Sequence, residues 1–212
     1  MAAAADERPA MIVPPKKYQS AFNGKEQRTL VGCAVLPVKY SPKAGSEAAG
    51  SVGPALSLDA EADESGFEDV VDEVLYYLKA RMYLKTFPLE GAADRLSLYL
   101  TLYLQNCVRR LAKQKQPLPE TAARQALQTL AAERQTVPGD ASYPFNALYP
   151  TKSATAAAEL EELRDYCKRL RLEAGHRLVD RVYAIPEADG APNKFWMVIA
   201  KQELLGHVFE KW

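Results

Sequence analysis

Hydrophobic residues recur at helical spacing in four separate stretches of the chain, and this pattern predicts a mainly α-helical protein. The first stretch opens with residues 65–68, Ser-Gly-Phe-Glu, whose spacing is typical of a capping box at a helix start. Its apolar positions are Val70, Val71, Val74, Leu75, Leu78 and Met82. We expect Tyr76, Tyr77 and Tyr83 to widen this apolar face and Pro88 to end the helix.

The second stretch, residues 91–115, is the most apolar part of the chain. Leucine occupies every even-numbered position from 96 to 104, which taken alone is also compatible with a β-strand. The length of the segment favours a helix, because strands are usually much shorter. Read as a helix, it has one narrow polar stripe at a spacing of four, formed by Ser97, Thr101, Gln105 and Arg109. An otherwise apolar surface predicts a central helix that other elements enclose.

Two further helices are predicted after this segment. Residues 119–130 are rich in alanine and leucine and predict a weaker helix, with Pro119 at its first position. Residues 154–175 form an amphipathic pattern, and Gly175 is a natural residue to cap its carboxyl end. A short helix is expected to close the chain.

Two runs near the carboxyl end, 178–185 and 194–201, are interpreted as strands. The turn-rich residues 186–193 lie between them and predict a β-hairpin, and residues 30–36 form another β-like run. The predicted fold class is therefore mainly α: a compact helical domain with one central helix enclosed by others, plus a small β-hairpin or short strands.

The length of 212 residues fits one domain with tails rather than a large multidomain enzyme. Residues 1–17 predict a disordered tail, and residues 18–212 a single domain. Residues 43–64 are rich in Ala, Gly and acids and hold almost no large apolar side chain, which predicts a flexible insert within that domain.

Charge and composition exclude several classes of function. The chain has 27 basic and 27 acidic residues, and zero net charge argues against general nucleic-acid binding. The apolar stretches are shorter than the roughly 20 residues that a membrane helix needs, so no membrane insertion is expected. Three widely spaced cysteines fit reduced, buried thiols rather than a disulfide framework.

The sequence assigns no catalytic, cofactor-binding or metal-ligating residue. Cys167 and His176 lie near the end of one predicted helix and form a conceivable nucleophile pair, but a packed thiol is the favoured interpretation. The cysteines and histidines lack zinc-site spacing, and neither glycine-rich phosphate motif is present. An enzyme whose site is scattered through the sequence remains an alternative supported only by generic residues.

Two groups of basic residues are interpreted first as a solubilising helix surface, and the functional alternative is docking to an acidic partner. One group lies at the carboxyl end of the central helix: Arg109, Arg110, Lys113 and Lys115. The other follows the amphipathic helix: Arg164, Lys168, Arg169, Arg171, Arg177 and Arg181. On a helix, Arg164, Lys168 and Arg171 share one face and form a candidate contact surface for an acidic protein such as a filament.

Several segments occur in the order found in a known family. They read TLVGCAVLPVKY (29–40), DVVDEVLYYLKARMYLKTF (69–87), ADRLSLYLTLYLQNCVRRL (93–111), VPGDASYPFNALYP (137–150), LRLEAGHRLVDRVY (170–183) and NKFWMVIAKQEL (193–204). With them the chain resembles subunit 3 of the actin-related protein 2/3 complex. It departs from that family in a longer amino-terminal tail, in the expanded insert, and in an Ala/Gln-rich stretch at 117–134.

The resemblance implies a non-enzymatic subunit without cofactors, in an assembly that nucleates branched actin filaments. The implied partners are the other six subunits, especially the larger actin-related protein, and the mother actin filament. The implied location is the cytoplasm, in the actin cytoskeleton, and the implied fold is mainly helical with one helix surrounded by the others. The alternative is a free-standing module that binds actin filaments or other acidic surfaces.

Four further residues are candidates for contact with a partner, beside Arg164, Lys168 and Arg171. Phe145 and Tyr149 belong to a Pro-punctuated aromatic loop that must either pack back on the domain or meet a partner. Lys194 and Trp196 lie beside the predicted hairpin turn. Packing inside the domain is the alternative for all four, and the favoured one for Trp196.

Overall fold

The structure is a computed structural model that describes residues 18–40, 66–84, 89–114, 116–150, 157–185 and 190–205. In chain order its strands and α-helices are β1 (Arg28–Leu30), β2 (Cys33–Val35), α1 (Val70–Arg81), α2 (Ala92–Ala112), α3 (Glu120–Ala132), α4 (Ala157–Val182) and α5 (Lys194–Met197). Two 3₁₀ helices, Asn146–Leu148 and Val198–Lys201, complete the described elements. The mainly α fold class is confirmed. The predicted tail and insert, residues 1–17 and 43–64, lie outside the described residues.

Helix α2 is the centre of the fold, as its sequence predicts. Seventeen of its 21 residues are buried, and it contacts α1, α3, α4 and β2 as well as the segment that includes α5. The polar stripe is buried too: Thr101 donates its hydroxyl proton to the Ser97 carbonyl (2.7 Å), while Gln105 and Arg109 bond to backbone beyond α5. The stripe therefore faces another part of the chain rather than solvent.

Helix α1 begins later than the predicted capping box. Its N-cap is Asp69, whose carboxylate accepts hydrogen bonds from the amides of Val71 and Asp72. Ser65 lies outside the described residues, so the capping box itself is not seen. The helix ends at Arg81, before Pro88, which also lies outside the described residues.

Helix α4 is longer than predicted, and its extent shows that two predictions from the sequence are wrong. Gly175 does not cap it; the helix continues to Val182 and so includes residues 178–182 of the first predicted strand, 178–185. A β-carbon at Gly175 would lie 3.4 Å from the Tyr103 hydroxyl and 3.6 Å from Leu127, so glycine lets α4 approach α2 and α3 closely. The β-branched and aromatic composition of the run indicates a strand locally, but burial of a helical face against α2 outweighs that local preference.

The second predicted strand, residues 194–201, is also wrong. It forms α5 followed by a 3₁₀ turn, and the Asn193 side chain accepts a hydrogen bond from the Phe195 amide (2.9 Å) at the start of α5. Among the described residues the hairpin is instead β1–β2, antiparallel with Leu30 opposite Cys33. The β-like run at 30–36 is thus confirmed only in part, because a turn at Val31 and Gly32 divides it into two strands.

This turn is expected to be sensitive to substitution at Gly32. Both turn residues have positive φ, as a two-residue hairpin turn of type I′ requires. A β-carbon at Gly32 would lie 2.4 Å from Pro150 Cδ. We expect Gly32→Ala to lower the free energy of unfolding by about 2–4 kcal/mol in urea denaturation, the sum of backbone strain and this clash.

Gly24→Ala is the matched control. Gly24 also has positive φ, but nothing lies within 4 Å of the position that its β-carbon would take, so only the backbone strain applies. That strain costs about 1–2 kcal/mol. Equal losses in the two variants would show that Pro150 does not crowd a side chain at position 32.

Candidate partner-docking surface

Two aromatic residues predicted to contact a partner are buried within the chain. Phe145 and Tyr149 flank the 3₁₀ turn Asn146–Leu148, and their exposed fractions are 6% and 5%. The Tyr149 hydroxyl donates to the Arg95 carbonyl (2.8 Å) and lies 3.0 Å from the Tyr143 hydroxyl. The aromatic loop therefore packs back on α2. Of the two alternatives that the sequence leaves open for Phe145 and Tyr149, the fold shows packing within the domain.

Arg171 is buried as well, with only 2% of its surface exposed. Its guanidinium donates to the Ala131 carbonyl through Nε (3.3 Å) and Nη2 (3.1 Å), and to the Tyr99 hydroxyl through Nη1 (2.7 Å). Arg171 therefore joins α4 to the end of α3 and to the centre of α2. The expectation that it shares an exposed basic face with Arg164 and Lys168 is wrong.

Arg164 is largely engaged in an ion pair with Asp140. Its Nη1 and Nη2 each lie 3.0 Å from one carboxylate oxygen of Asp140. Burial raises the pKa of Asp140, but the hydrogen bonds from Arg164 and from the Val137 amide outweigh burial and hold that pKa below its ordinary value. Arg164 thus tethers the loop after α3, whereas Lys168, one turn further along α4, is exposed.

Arg177 and Arg181 of the predicted basic group on α4 also form ion pairs within the chain. Arg177 Nη2 lies 2.8 Å from an Asp69 carboxylate oxygen, and its Nε lies 2.7 Å from one of Glu173. Arg181 Nη2 lies 3.4 Å from Asp72 Oδ1. These pairs connect α4 to the amino-terminal end of α1. The run of basic residues on α4 is therefore mainly a stabilising network and not one continuous docking surface.

Aromatic and aliphatic side chains are instead exposed where α1 meets α5. We call this the aromatic surface and define it by Tyr76, Lys79, Tyr83, Phe195, Trp196 and Val198. Tyr76, Tyr83 and Phe195 are 65%, 62% and 67% exposed. The Lys79 ammonium lies 4.3 Å from the centroid of the Trp196 ring, and this cation–π contact joins the two helices. Of the predicted contact residues, Trp196 belongs to this surface and the exposed Lys194 borders it.

Contrary to the prediction from sequence, Tyr76 and Tyr83 do not widen the buried face of α1. At about 100° per residue, Tyr76, Lys79 and Tyr83 fall within one narrow arc, roughly opposite the valine and leucine stripe. Their exposure follows from this position. The angle about the helix axis was thus the signal that could have identified them, since aromatic character alone does not separate buried from exposed positions.

The buried polar stripe of α2 determines where the carboxyl-terminal part of this surface lies. Gln105 Nε2 donates to the Gln202 carbonyl (2.7 Å), and Arg109 donates to the carbonyls of Ala200 (3.0 Å) and Gln202 (2.9 Å). Hydrogen bonds from a buried guanidinium to backbone carbonyls are charge-assisted and strong. The stripe therefore anchors the backbone just after α5 to the rigid central helix.

The described residues keep the candidate nucleophile pair apart. Cys167 and His176 lie on the same helix, nine residues or about 13 Å apart along its axis, which is far beyond hydrogen-bond reach. In the described ranges no group of three His, Cys, Asp or Glu side chains is arranged to hold a metal ion. Across the same ranges, no helix combines the length and apolarity needed to span a membrane.

The three cysteines are expected to be unreactive in the folded protein. All are buried, and burial raises the pKa of Cys33 above its ordinary value and those of Cys107 and Cys167 to about 12. Thiolate, the reactive form, is therefore scarce at pH 8. A thiol reagent should label no cysteine before unfolding and three after it. Rapid labelling of Cys167 in the native protein would restore the nucleophile hypothesis.

The described residues thus form a mainly helical fold whose most distinctive exposed feature is the aromatic surface. A sequence model of the family P21-Arc, described as the ARP2/3 complex ARPC3 (21 kDa) subunit, matches residues 15–209. The chain belongs to this family, as its sequence segments suggest.

The chain aligns with nearly the whole length of several individual relatives. The chain is 33% identical to actin-related protein 2/3 complex subunit 3 of Dictyostelium discoideum, over 89% of this chain and 97% of the relative. It is 34% identical to the protein of the same name from Schizosaccharomyces pombe, over 90% and 97%. The Arabidopsis thaliana protein of that name is 31% identical, over 90% of this chain and 98% of the relative.

Proposed function

We propose that this chain is a non-enzymatic structural subunit of the actin-related protein 2/3 complex. The observation that carries the proposal is the family match, which extends over residues 15–209 and over almost the full length of several relatives. The burial of all three thiols and the outward-facing aromatic side chains agree with a protein that acts through its surface.

In this role the chain supports nucleation of branched actin filaments by holding partners in place. The proposed partners are the other six subunits, especially the larger actin-related protein, and the mother actin filament. The proposed location is the cytoplasmic actin cytoskeleton, with residues 18–212 acting as one domain. Binding would come from a few aromatic or cationic anchors inside a polar rim, as in other stable protein interfaces.

The side chains available for such contacts differ from the full set that the sequence suggests. Lys168, Lys194 and Trp196 remain candidates, because Lys168 and Lys194 are exposed and Trp196 is half-buried beside exposed Phe195. Arg164 is less available for a contact, because only 14% of its side chain is exposed beside Asp140. Buried residues such as Arg171 support the fold instead.

The test is purification of the tagged full chain from its native cells. Subunits are identified by mass, and the size of the assembly is measured by light scattering. We expect a stoichiometric assembly that contains two actin-related proteins. A monomer without such partners would contradict the proposal, and its cosedimentation with actin filaments would then favour a free-standing filament-binding module.

A further inference from the structure

We propose that the aromatic surface is a docking site for a protein partner whose face presents carboxylates around an apolar centre. The inference rests on the proposed function and names the part of the chain that performs it. The surface consists of one face at the carboxyl end of α1 and the outer face of the segment that includes α5. Its six residues are Tyr76, Lys79, Tyr83, Phe195, Trp196 and Val198.

Exposure of large apolar side chains is the first argument. Phe195 is 67% exposed and Val198 is 46% exposed. On α1, Tyr76 and Tyr83 share a face with Lys79, which contacts Trp196, and more than half of the surface of each tyrosine is in solvent. Isolated exposed side chains of this kind are normal, but a cluster that joins two elements indicates an interaction site. Tyr and Trp are also the residues that most often dominate binding at protein interfaces.

The rigid support of these side chains is the second argument. Lys79 and Trp196 contact each other across the two helices at 4.3 Å. The backbone immediately after Val198 is fixed by charge-assisted hydrogen bonds from Arg109 on α2. Tyr76 is further braced by the Phe67 ring, whose centroid lies 5.3 Å away. A preorganised surface loses little conformational entropy when a partner binds.

Charge identifies the chemistry of the partner. Residues 76–84 and 194–201, which supply the surface, contain no Asp or Glu. Their basic residues are Lys79, Arg81, Lys194 and Lys201, of which Arg81 is buried and the three lysines are exposed. The exposed charge of these two ranges is therefore of one sign, and electrostatic complementarity favours a partner that presents carboxylates.

The acidic residues of α1 do not offset this charge. Asp72 and Glu73 lie near the other end of the helix, where Asp72 pairs with Arg181 and Glu73 pairs with buried Arg81. An incoming carboxylate at the carboxyl end of α1 would meet lysine ammonium groups without a competing acid from this helix. Three lysines are too few to bind an anionic membrane firmly, and zero net charge gives no additional attraction.

Competition for places in the assembly tests this surface. Variant and wild-type chains with different tags are expressed together, and the ratio of the two in the purified complex is measured. Hot-spot residues contribute enough binding energy for a loss of about 30-fold, so the double variant Tyr76→Ala/Phe195→Ala should be incorporated about 30-fold less than wild type. Lys194→Glu/Lys201→Glu should also be incorporated poorly, with a deficit that shrinks as salt is raised.

Leu148→Ala is the matched control, because Leu148 is also an exposed apolar residue, at 42%, but lies near Arg95 at the opposite end of α2. It should be incorporated like wild type. Thermal denaturation of each variant should match that of wild type, since the substituted side chains are mainly in solvent.

The possible outcomes distinguish failure of the docking-site proposal from failure of the proposed function. If wild-type chain fails to join the assembly, the proposed function fails. If wild type joins and both surface variants join equally well, the function stands and the aromatic surface is overturned as a docking site. Binding of the wild-type chain to vesicles containing 30% phosphatidylserine, lost in the variants while their incorporation is normal, would also overturn it in favour of a lipid surface.

Discussion

Arg171→Ala is expected to lower the free energy of unfolding by about 3–4 kcal/mol, one of the largest effects of a single substitution in this chain. The guanidinium is 2% exposed and donates three hydrogen bonds, two to the Ala131 carbonyl and one to the Tyr99 hydroxyl. Without the guanidinium, both acceptors remain buried but have lost this donor. The substitution also opens a cavity between three helices. Urea denaturation followed by circular dichroism measures the change.

Lys168→Ala is the control for this prediction. Lys168 is exposed on the same helix, one turn before Arg171. Exposed substitutions away from special features usually change stability by less than about 0.5 kcal/mol. If Arg171→Ala were as mild as Lys168→Ala, the buried position of Arg171 would be wrong, and its role as a surface contact would again be open.

Asp94→Ala is expected to cost about 3–5 kcal/mol and to release the segment that precedes β1. The Asp94 carboxylate is fully buried and accepts hydrogen bonds from the amides of Ser20 (2.7 Å), Glu90 (2.9 Å) and Gly91 (3.1 Å), and from Asn23 Nδ2 (2.8 Å). One carboxylate thus caps α2 and also ties residues 18–23 to it. Its removal leaves four buried or partly buried donors without this acceptor.

Hydrogen exchange separates this prediction from general destabilisation. In Asp94→Ala the Ser20 amide should exchange much faster than in wild type under native conditions, while amides in the middle of α2 change less. Glu90→Ala serves as a control, because the Glu90 side chain is exposed and its amide can still donate to Asp94. Unchanged exchange at Ser20 in Asp94→Ala would contradict the role of this carboxylate.

The central helix could be predicted because two independent signals agree. Its length excludes an ordinary strand, and apolar residues on nearly every side require enclosure, which the burial of α2 confirms. The prediction of a carboxyl-terminal hairpin is wrong because it depends only on local composition. Composition at 178–185 favours a strand, but whether α4 continues through Gly175 depends on close packing against Tyr103 and Leu127, which no single sequence displays.

The candidate site was predicted less well than the fold, for a physical reason. A charged side chain is usually exposed, so the sequence predicts that Arg171 and Arg177 belong to a basic surface. In the fold, each of them forms a hydrogen bond or an ion pair with groups distant in sequence. For aromatic residues, apolar character alone does not predict whether a side chain is buried. Tyr149 is buried and Phe195 is exposed, although both carry large apolar rings, because exposure depends on which face the fold presents.

The aromatic surface is tested most directly by zero-length coupling of lysines to carboxylates in the purified native assembly, followed by mass spectrometry. We expect covalent links from Lys79, Lys194 or Lys201, the exposed cations in or beside the aromatic surface, to acidic residues of another subunit, and a docking role for this surface requires them. The docking role would be contradicted if these three lysines formed no such links and reacted with an acetylating reagent equally fast in the assembly and in the free chain.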